Sequence, residues 1–528
     1  MHDEHTPPAW DVGPATAAPV DALLADAARR SPGRTAVIGA AGRWSYAALD
    51  AWADAYAAAL APLLPAGPDG ARGPVLVSSA PHPAFMAAYY GAIRAGAVVV
   101  PLNPMLPPAA VARVAAESGA AVALLAPQVH SVWAGLRDQL PHPVRTFALW
   151  AGDDPAAEVL TDGTPGAARP EPAAPHDPEA IAAVMFTSGT TGPSKGVAAS
   201  HRAIRTNAAQ FGDAHRIGAD SAVLCHIPIV SPMHMNAAVR AGACQLLCPD
   251  PAIEESLRLA DAHGATHYYS LPVRLTRLAT APEFAGVTLK TVTMVAAGNQ
   301  TLAPRVIAAL AGRLGVPVFQ GYGLTESTHL AHTDGPVGPR PGSVGPPVAG
   351  SSSRIVDLAT GRPLPAGATG ELQIRGPQLM SGYTNRPDLH PFDADGWFAT
   401  GDVGHLDEDG YLYVLDRTAD VFHHDGELIA PSLLERALEA HPDVREAAVV
   451  ERPDGDRGHA PVAFLATAHD LGDDRLAALV AGVNSGLRPH ERLTGAVAVA
   501  AVARSRTNGK VDRKALRAAL PAARIVAV

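Results

Sequence analysis

The apolar stretch Ile181-Ala182-Ala183-Val184-Met185-Phe186 leads directly into Thr187-Ser188-Gly189-Thr190-Thr191-Gly192-Pro193-Ser194-Lys195-Gly196-Val197. No other segment restricts this chain so tightly. Hydroxyls and glycines in close succession, closed by one lysine, bring together what a polyphosphate requires: approachable backbone N–H groups, hydroxyl donors and a cation. The spacing is not that of G-x-x-x-x-G-K-[ST], in which a helix begins directly after the lysine. Here Gly189 and Gly192 stand too close together, and Gly196-Val197-Ala198-Ala199 follows Lys195. A shorter run of this composition would read as a surface turn. At this length and in this order it reads as a loop for a nucleotide triphosphate.

The flanking sequence alternates. Between residues 20 and 128, alanine-rich helical pieces such as 47–60 are interleaved with short β-branched runs such as Val75-Leu76-Val77 and Ala97-Val98-Val99-Val100. This predicts stacked βαβ units around mainly parallel sheets. Residues 152–178, rich in Pro, Gly, Asp and Ala, read as a surface connection before the loop. A second alternating block spans 222–318, with strands expected at 265–270, 292–296 and 316–319. After Ser343 the texture changes to short strands with turn signals, as in Gly370-Glu371-Leu372-Gln373-Ile374-Arg375-Gly376 and Gly410-Tyr411-Leu412-Tyr413-Val414-Leu415, which predicts a β-rich subdomain. At 528 residues the chain exceeds the ~250–300 at which a single core stops growing, and about a domain's length remains beyond Asp416.

A net charge of −10 with no basic block gives no electrostatic footprint for nucleic acid. Cys225, Cys244 and Cys248 are odd in number and lack a C-x-x-C spacing, so they read as reduced thiols in a cytoplasmic protein. The start, Met1-His2-Asp3-Glu4-His5-Thr6-Pro7-Pro8, is acidic and unlike a signal peptide. No apolar run reaches the ~18 residues of a membrane span, and the stretch from Tyr89 to Leu102 is interrupted by Arg94 and Pro101. The expectation is a soluble enzyme without a membrane or nucleic-acid partner; its oligomeric state is not legible.

Further motifs follow in order: Ala297-Gly298-Asn299-Gln300 after an expected strand, Gln320-Gly321-Tyr322-Gly323-Leu324-Thr325-Glu326-Ser327, Thr400-Gly401-Asp402-Val403-Gly404, Asp416-Arg417, and Arg506-Thr507-Asn508-Gly509-Lys510-Val511-Asp512-Arg513. Each alone fits a bland role: Tyr322 in the core, Glu326 at a helix cap, Asp402 in a turn, Arg417 in a surface ion pair, Lys510 in solvent. Together with the phosphate loop, this succession resembles the adenylate-forming superfamily of acyl-CoA and aryl-CoA synthetases, peptide-synthetase adenylation domains and beetle luciferases. The likeness covers most of the chain.

The resemblance implies an α/β fold: a large N-terminal domain at 1–415, made of stacked βαβ layers plus the β-rich subdomain, and a small mobile α+β lid at 416–528, hinged near 416–420. It implies that Thr187, Ser188, Gly189, Thr190, Thr191, Gly192 and Lys195 hold the phosphates of ATP, and that the turn Gly298, Asn299, Gln300 lies against adenine. Tyr322 and Gly323 belong to the same pocket, the tyrosine ring packing on the base as aromatic faces do. Thr325 contacts the α-phosphate and Glu326 binds Mg²⁺, a hard cation commonly shared between phosphates and one or two carboxylates. Asp402 accepts from the ribose hydroxyls, and Arg417 also reaches the ribose. Lys510 enters during adenylation and bridges carboxylate and α-phosphate as charge builds. Lys510, Thr325, Glu326 and Lys195 are the catalytic candidates; Ser231, His234, Met235, Asn236, Gly298, Gly321 and Gly323 are the candidates for the acid pocket.

The implied reaction is attack of a carboxylate on the α-phosphate of ATP, followed by transfer to CoA. Two departures bear on that second step: Ala419 stands where the family usually has a hinge Asp or Lys, and His423 where it has a lysine. They keep open a non-thiol acceptor, with amide or β-lactone formation, or nitrite activation for diazotisation of an aromatic amine. The segment Pro228-Ile229-Val230-Ser231-Pro232-Met233-His234-Met235-Asn236 also departs, which implies a rearranged pocket wall. His263 and His267, four apart, and the adjoining His423 and His424 lack a third ligand at a suitable spacing, and they read as ordinary histidines rather than a transition-metal site.

Overall fold

The computed structural model describes residues 18–40, 42–64, 72–152, 158–161, 177–187, 194–227, 232–504 and 511–528. Two compact units emerge, one formed by Met1–Ser352 with Ile374–Phe398 and the other by Ser353–Gln373 with Ala399–Val528.

In the first unit, one seven-stranded sheet runs in the order Gly382–Tyr383, Gly196–Ser200, Ile181–Phe186, Ala97–Leu102, Arg72–Ser78, Val122–Leu125, Arg145–Ala148. From Ile181–Phe186 onward its neighbours are parallel, as the βαβ alternation predicts; the hairpin into Gly196–Ser200 and the edge strand Gly382–Tyr383 are antiparallel. A second sheet of eight strands includes His267–Ser270, Met294–Ala297 and Val318–Tyr322, close to the expected positions. Its inner pairs are parallel too.

Helix Pro83–Arg94 has every residue buried, which explains why its sequence is apolar on all sides rather than on one stripe. It crosses Tyr46–Leu60 so closely that a Cβ on Gly91 would lie 2.5 Å from Tyr56 Cβ and 2.6 Å from the Ala53 carbonyl oxygen. Its one cation, Arg94, is buried against Asp50 and Asp54 at 2.6 Å each and Asp21 at 3.3 Å. Stripping partners from such a buried charge costs about 3–5 kcal/mol, so the placement of Arg94 inside the apolar run depends on these three carboxylates.

Ser352–Val356, Gly370–Arg375, Phe398–Leu406 and Leu412–Arg417 form a four-stranded sheet in that order, most of whose residues belong to the second unit. The β-rich texture after Ser343 is thus realised, and by compactness most of it groups with the C-terminal residues. A second four-stranded sheet, Val444–Pro453, His459–Thr467, Gly495–Ala498 and Val526–Ala527, carries helices Pro431–Glu439 and Gly472–Asn484. No helix among the described residues is long and apolar enough to cross a membrane.

Candidate active site

The two ends of the glycine–hydroxyl segment, Thr187 and Ser194-Lys195, are tied together by three hydrogen bonds. Thr187 N–H donates to the Lys195 carbonyl (3.0 Å), Lys195 N–H donates to Thr187 Oγ1 (3.1 Å), and Ser194 Oγ donates to the Thr187 carbonyl (2.7 Å). Thr187 Oγ1 accepts in this set, so its own hydroxyl proton is not used by these three bonds. Ser188, Gly189, Thr190, Thr191 and Gly192 lie outside the described residues, as do Ser231 and Lys510.

Directly after the loop, Gly196 is fixed by edge-strand pairing. Its N–H donates to Asn385 Oδ1 (2.8 Å), and a Cβ there would fall 2.5 Å from Thr384 Oγ1. The same pairing sets Tyr383 opposite Val197. Tyr383 is the residue that sequence reasoning missed: Lys195 Nζ lies 3.4 Å from its hydroxyl oxygen and 4.7 Å from its ring centroid, while its Oη donates to Glu326 Oε1 at 2.9 Å. Burial, then the Glu326 carboxylate, push the Tyr383 phenol far above its ordinary range, so it stays a donor. Its only sequence signal is an aromatic after Gly382, 188 positions from the lysine it meets.

Glu326 is buried in a short turn, Thr325–Ser327, that follows strand Val318–Tyr322. Lys195, Glu326 and, between them, Tyr383 thus form one cluster. Tyr322 makes an edge contact with His332 at 6.3 Å. Gln320 is structural, accepting from Leu302 N–H (2.8 Å) and donating to the Ser343 carbonyl (3.1 Å).

The same chain segment lines a cavity of ≈ 140 Å³ in the first unit. Gly298, Asn299, Gly321, Gly323, His234 and Met235 line it; Gln300 and Asn236 do not. Asn299 takes a left-handed φ of 78°, which Asn tolerates better than most side chains. Gly323 is required for space, since a Cβ would lie 2.4 Å from the His329 carbonyl. Asn236 turns into the core, accepting from Tyr90 Oη (2.8 Å) and donating to Tyr89 Oη (3.3 Å).

The histidines here were not foreseen as a set. His215 has both ring nitrogens engaged, Nδ1 2.9 Å from Tyr269 Oη and Nε2 2.8 Å from Thr333 Oγ1. Burial, and secondarily His329, pull His234 down to about 4; burial does the same to His329, opposed by the Thr328 backbone. His215 also falls well below its ordinary value, chiefly through burial. All three imidazoles are neutral near pH 7.

Asp402 and Arg417 lie in the second unit, paired at 2.7 Å, with Asp402 buried. Asp416 is tied to the C-terminal elements: its carboxylate accepts from Ser432 N–H (2.9 Å) and lies 3.4 Å from Arg513, which also pairs with Glu435 (2.9 Å). Backbone pairing with the Phe398–Leu406 strand ends where Thr418 N–H donates to the Gly401 carbonyl (2.9 Å), so Ala419 is the first residue past it.

A lysine immediately before strand Gly196–Ser200, joined through a phenol to a buried glutamate, with a cavity on the same segment as the glutamate, accords with an AMP-forming, acid-activating ligase of the adenylate-forming superfamily. The chain belongs to the AMP-binding enzyme family: the family profile matches residues 24–384, and that of the AMP-binding enzyme C-terminal domain matches 433–510. It is 32% identical over 457 residues to 4-coumarate–CoA ligase 5 of Oryza sativa subsp. japonica, covering 83% of each chain. Among solved structures, ATP-bound MatB from Rhodopseudomonas palustris is 26% identical with a TM-score of 0.82, covering 95% of this chain and 99% of that one. The amide bond synthetase McbA from Marinactinospora thermotolerans is 28% identical, also at 0.82, covering 95% and 100%.

Proposed function

We propose that the enzyme activates a carboxylic acid with ATP as its acyl adenylate and then passes the acyl group to CoA. In the first step the carboxylate oxygen bonds to the α-phosphorus and pyrophosphate leaves with the electrons of the broken P–O bond. In the second the thiol sulfur bonds to the acyl carbon, its proton is lost, and AMP departs. The observation that carries this reading is the Lys195–Tyr383–Glu326 cluster, a cation and a hard carboxylate held apart by a phenol that cannot ionise. Lys195 would meet the β- and γ-phosphates, and Lys510 would neutralise charge at the α-phosphate. Glu326 would hold Mg²⁺; one buried carboxylate completed by phosphate oxygens is a set magnesium commonly takes, and the ion would neutralise phosphate charge. The rest is alignment of two anions. In this reading 416–420 is the pivot of a C-terminal lid, and the three free thiols accord with a cytoplasmic setting.

A second reading, a non-thiol acceptor, is favoured by Ala419 just past the strand pairing and His423 in place of lysine, and by the likeness to an amide bond synthetase. Pyrophosphate release across an acid panel, with and without CoA, separates the two. CoA-dependent thioester supports transfer to the thiol. Adenylate that forms but yields no thioester with any acid, while an added amine consumes it, puts the second reading first.

A further inference from the structure

Resting on the adenylation reading, we propose that the cavity beside Gly321 and Gly323 selects a single-ring aryl carboxylic acid bearing an uncharged hydroxyl or amino substituent, received by His329 and His234. Size comes first. A dry cavity of ~150 Å³ holds one benzene ring, and this one measures ≈ 140 Å³. A ring set directly on its carboxyl fills it; a ring extended by a propenoate, or a long alkyl chain, overfills it.

Charge comes second. None of the described lining residues is Lys, Arg, Asp or Glu, so a second carboxylate or an ammonium group would enter unpaired. The walls suit an aromatic face: the His234 ring meets Phe211 and Tyr269 edge-on at 4.8 and 4.7 Å.

Polarity comes third. His215 has both nitrogens committed to Tyr269 and Thr333 and serves as wall. His329 differs: it is only half-buried and lies on the cavity wall with His234. A neutral imidazole offers one nitrogen that accepts from a substituent hydroxyl or amine. His234 lies within electrostatic reach of His329 and presents its neutral ring to the same space.

The test compares benzoate, hydroxybenzoates, aminobenzoates, 4-coumarate, octanoate and malonate by pyrophosphate release, and by thermal shift without ATP. Some hydroxy- or aminobenzoate isomer should exceed benzoate by roughly tenfold in kcat/KM, with coumarate, octanoate and malonate slower than benzoate. In His234→Phe and His329→Asn the ratio of that isomer to benzoate should fall toward one; asparagine suits the left-handed φ of 80° at 329. Because the ratio is taken within each protein, any loss of folded enzyme cancels. Faster release with coumarate, octanoate or malonate, or an unchanged ratio in both variants, overturns the cavity assignment while leaving adenylation standing. Ring acids that raise the melting temperature without releasing pyrophosphate would keep the cavity assignment and overturn the adenylation reading.

Discussion

Two regions built on residues 321–330 handle charge in opposite ways. Around Glu326 a carboxylate and a lysine are brought together through the Tyr383 hydroxyl, which lies within 3.4 Å of Lys195 Nζ and donates to Glu326 Oε1 at 2.9 Å. Three residues to either side of Glu326, Gly323 and His329 line a cavity with no charged residue among its described lining, in which burial keeps the imidazoles of His234 and His329 neutral. The contrast teaches how, in the proposed reading, one turn of chain would serve both ends of an acid: the carboxyl beside the charged cluster, and the body in a space shaped by neutral polarity.

Removing charge should therefore cost most at the phosphate end. Lys510→Ala should lower adenylation roughly 10²-fold or more, the scale of one transition-state charge contact, while transfer from a supplied acyl adenylate persists. Near-normal pyrophosphate release in this variant would erase the contrast. Glu326→Gln should raise the Mg²⁺ concentration for half-maximal activity roughly tenfold or more; an unchanged titration would move the metal elsewhere.

The neutral region should reveal itself in acid instead. His234 and His329 stand at about 4 in the folded protein against an ordinary ~6.5. Between those values the unfolded chain binds more protons, so stability falls as pH drops from about 6.5 to 4, by at most ~1.4 kcal/mol per pH unit for each group. Thermal melts across that range should steepen toward acid, and His234→Phe should flatten them. Equal slopes would place the titration outside the cavity. Smallest of all, Tyr383→Phe keeps the ring under Lys195 but removes the donor to Glu326; a loss of about 1 kcal/mol, roughly fivefold in kcat/KM for MgATP, is expected. No loss would make the phenol a spacer only.

What the sequence disclosed depended on distance along the chain. Lys195, Glu326 and the strands around them were legible because each signal is local: a glycine–hydroxyl run, an apolar β-branched run, a turn after a strand. Tyr383 was not, because its role exists only through an edge-strand pairing that nothing near residue 383 announces. Asn236 was read as pocket from its neighbours; its two bonds to Tyr89 and Tyr90 on another helix place it in the core. The β-rich strands after Ser343 were legible as strands, while their grouping with the C-terminal residues follows from packing.

The edge strand Gly382–Tyr383 also orders events at the ribosome. Until it is made, Gly196–Ser200 is the outermost strand of its sheet, and Glu326 has no phenol to meet. The 188 positions separating Lys195 from Tyr383 take roughly 10–40 s to synthesise at ~5–20 residues per second. Throughout that interval a nascent chain carries an unfinished sheet edge, open to premature association, and a Lys195 without its phenol.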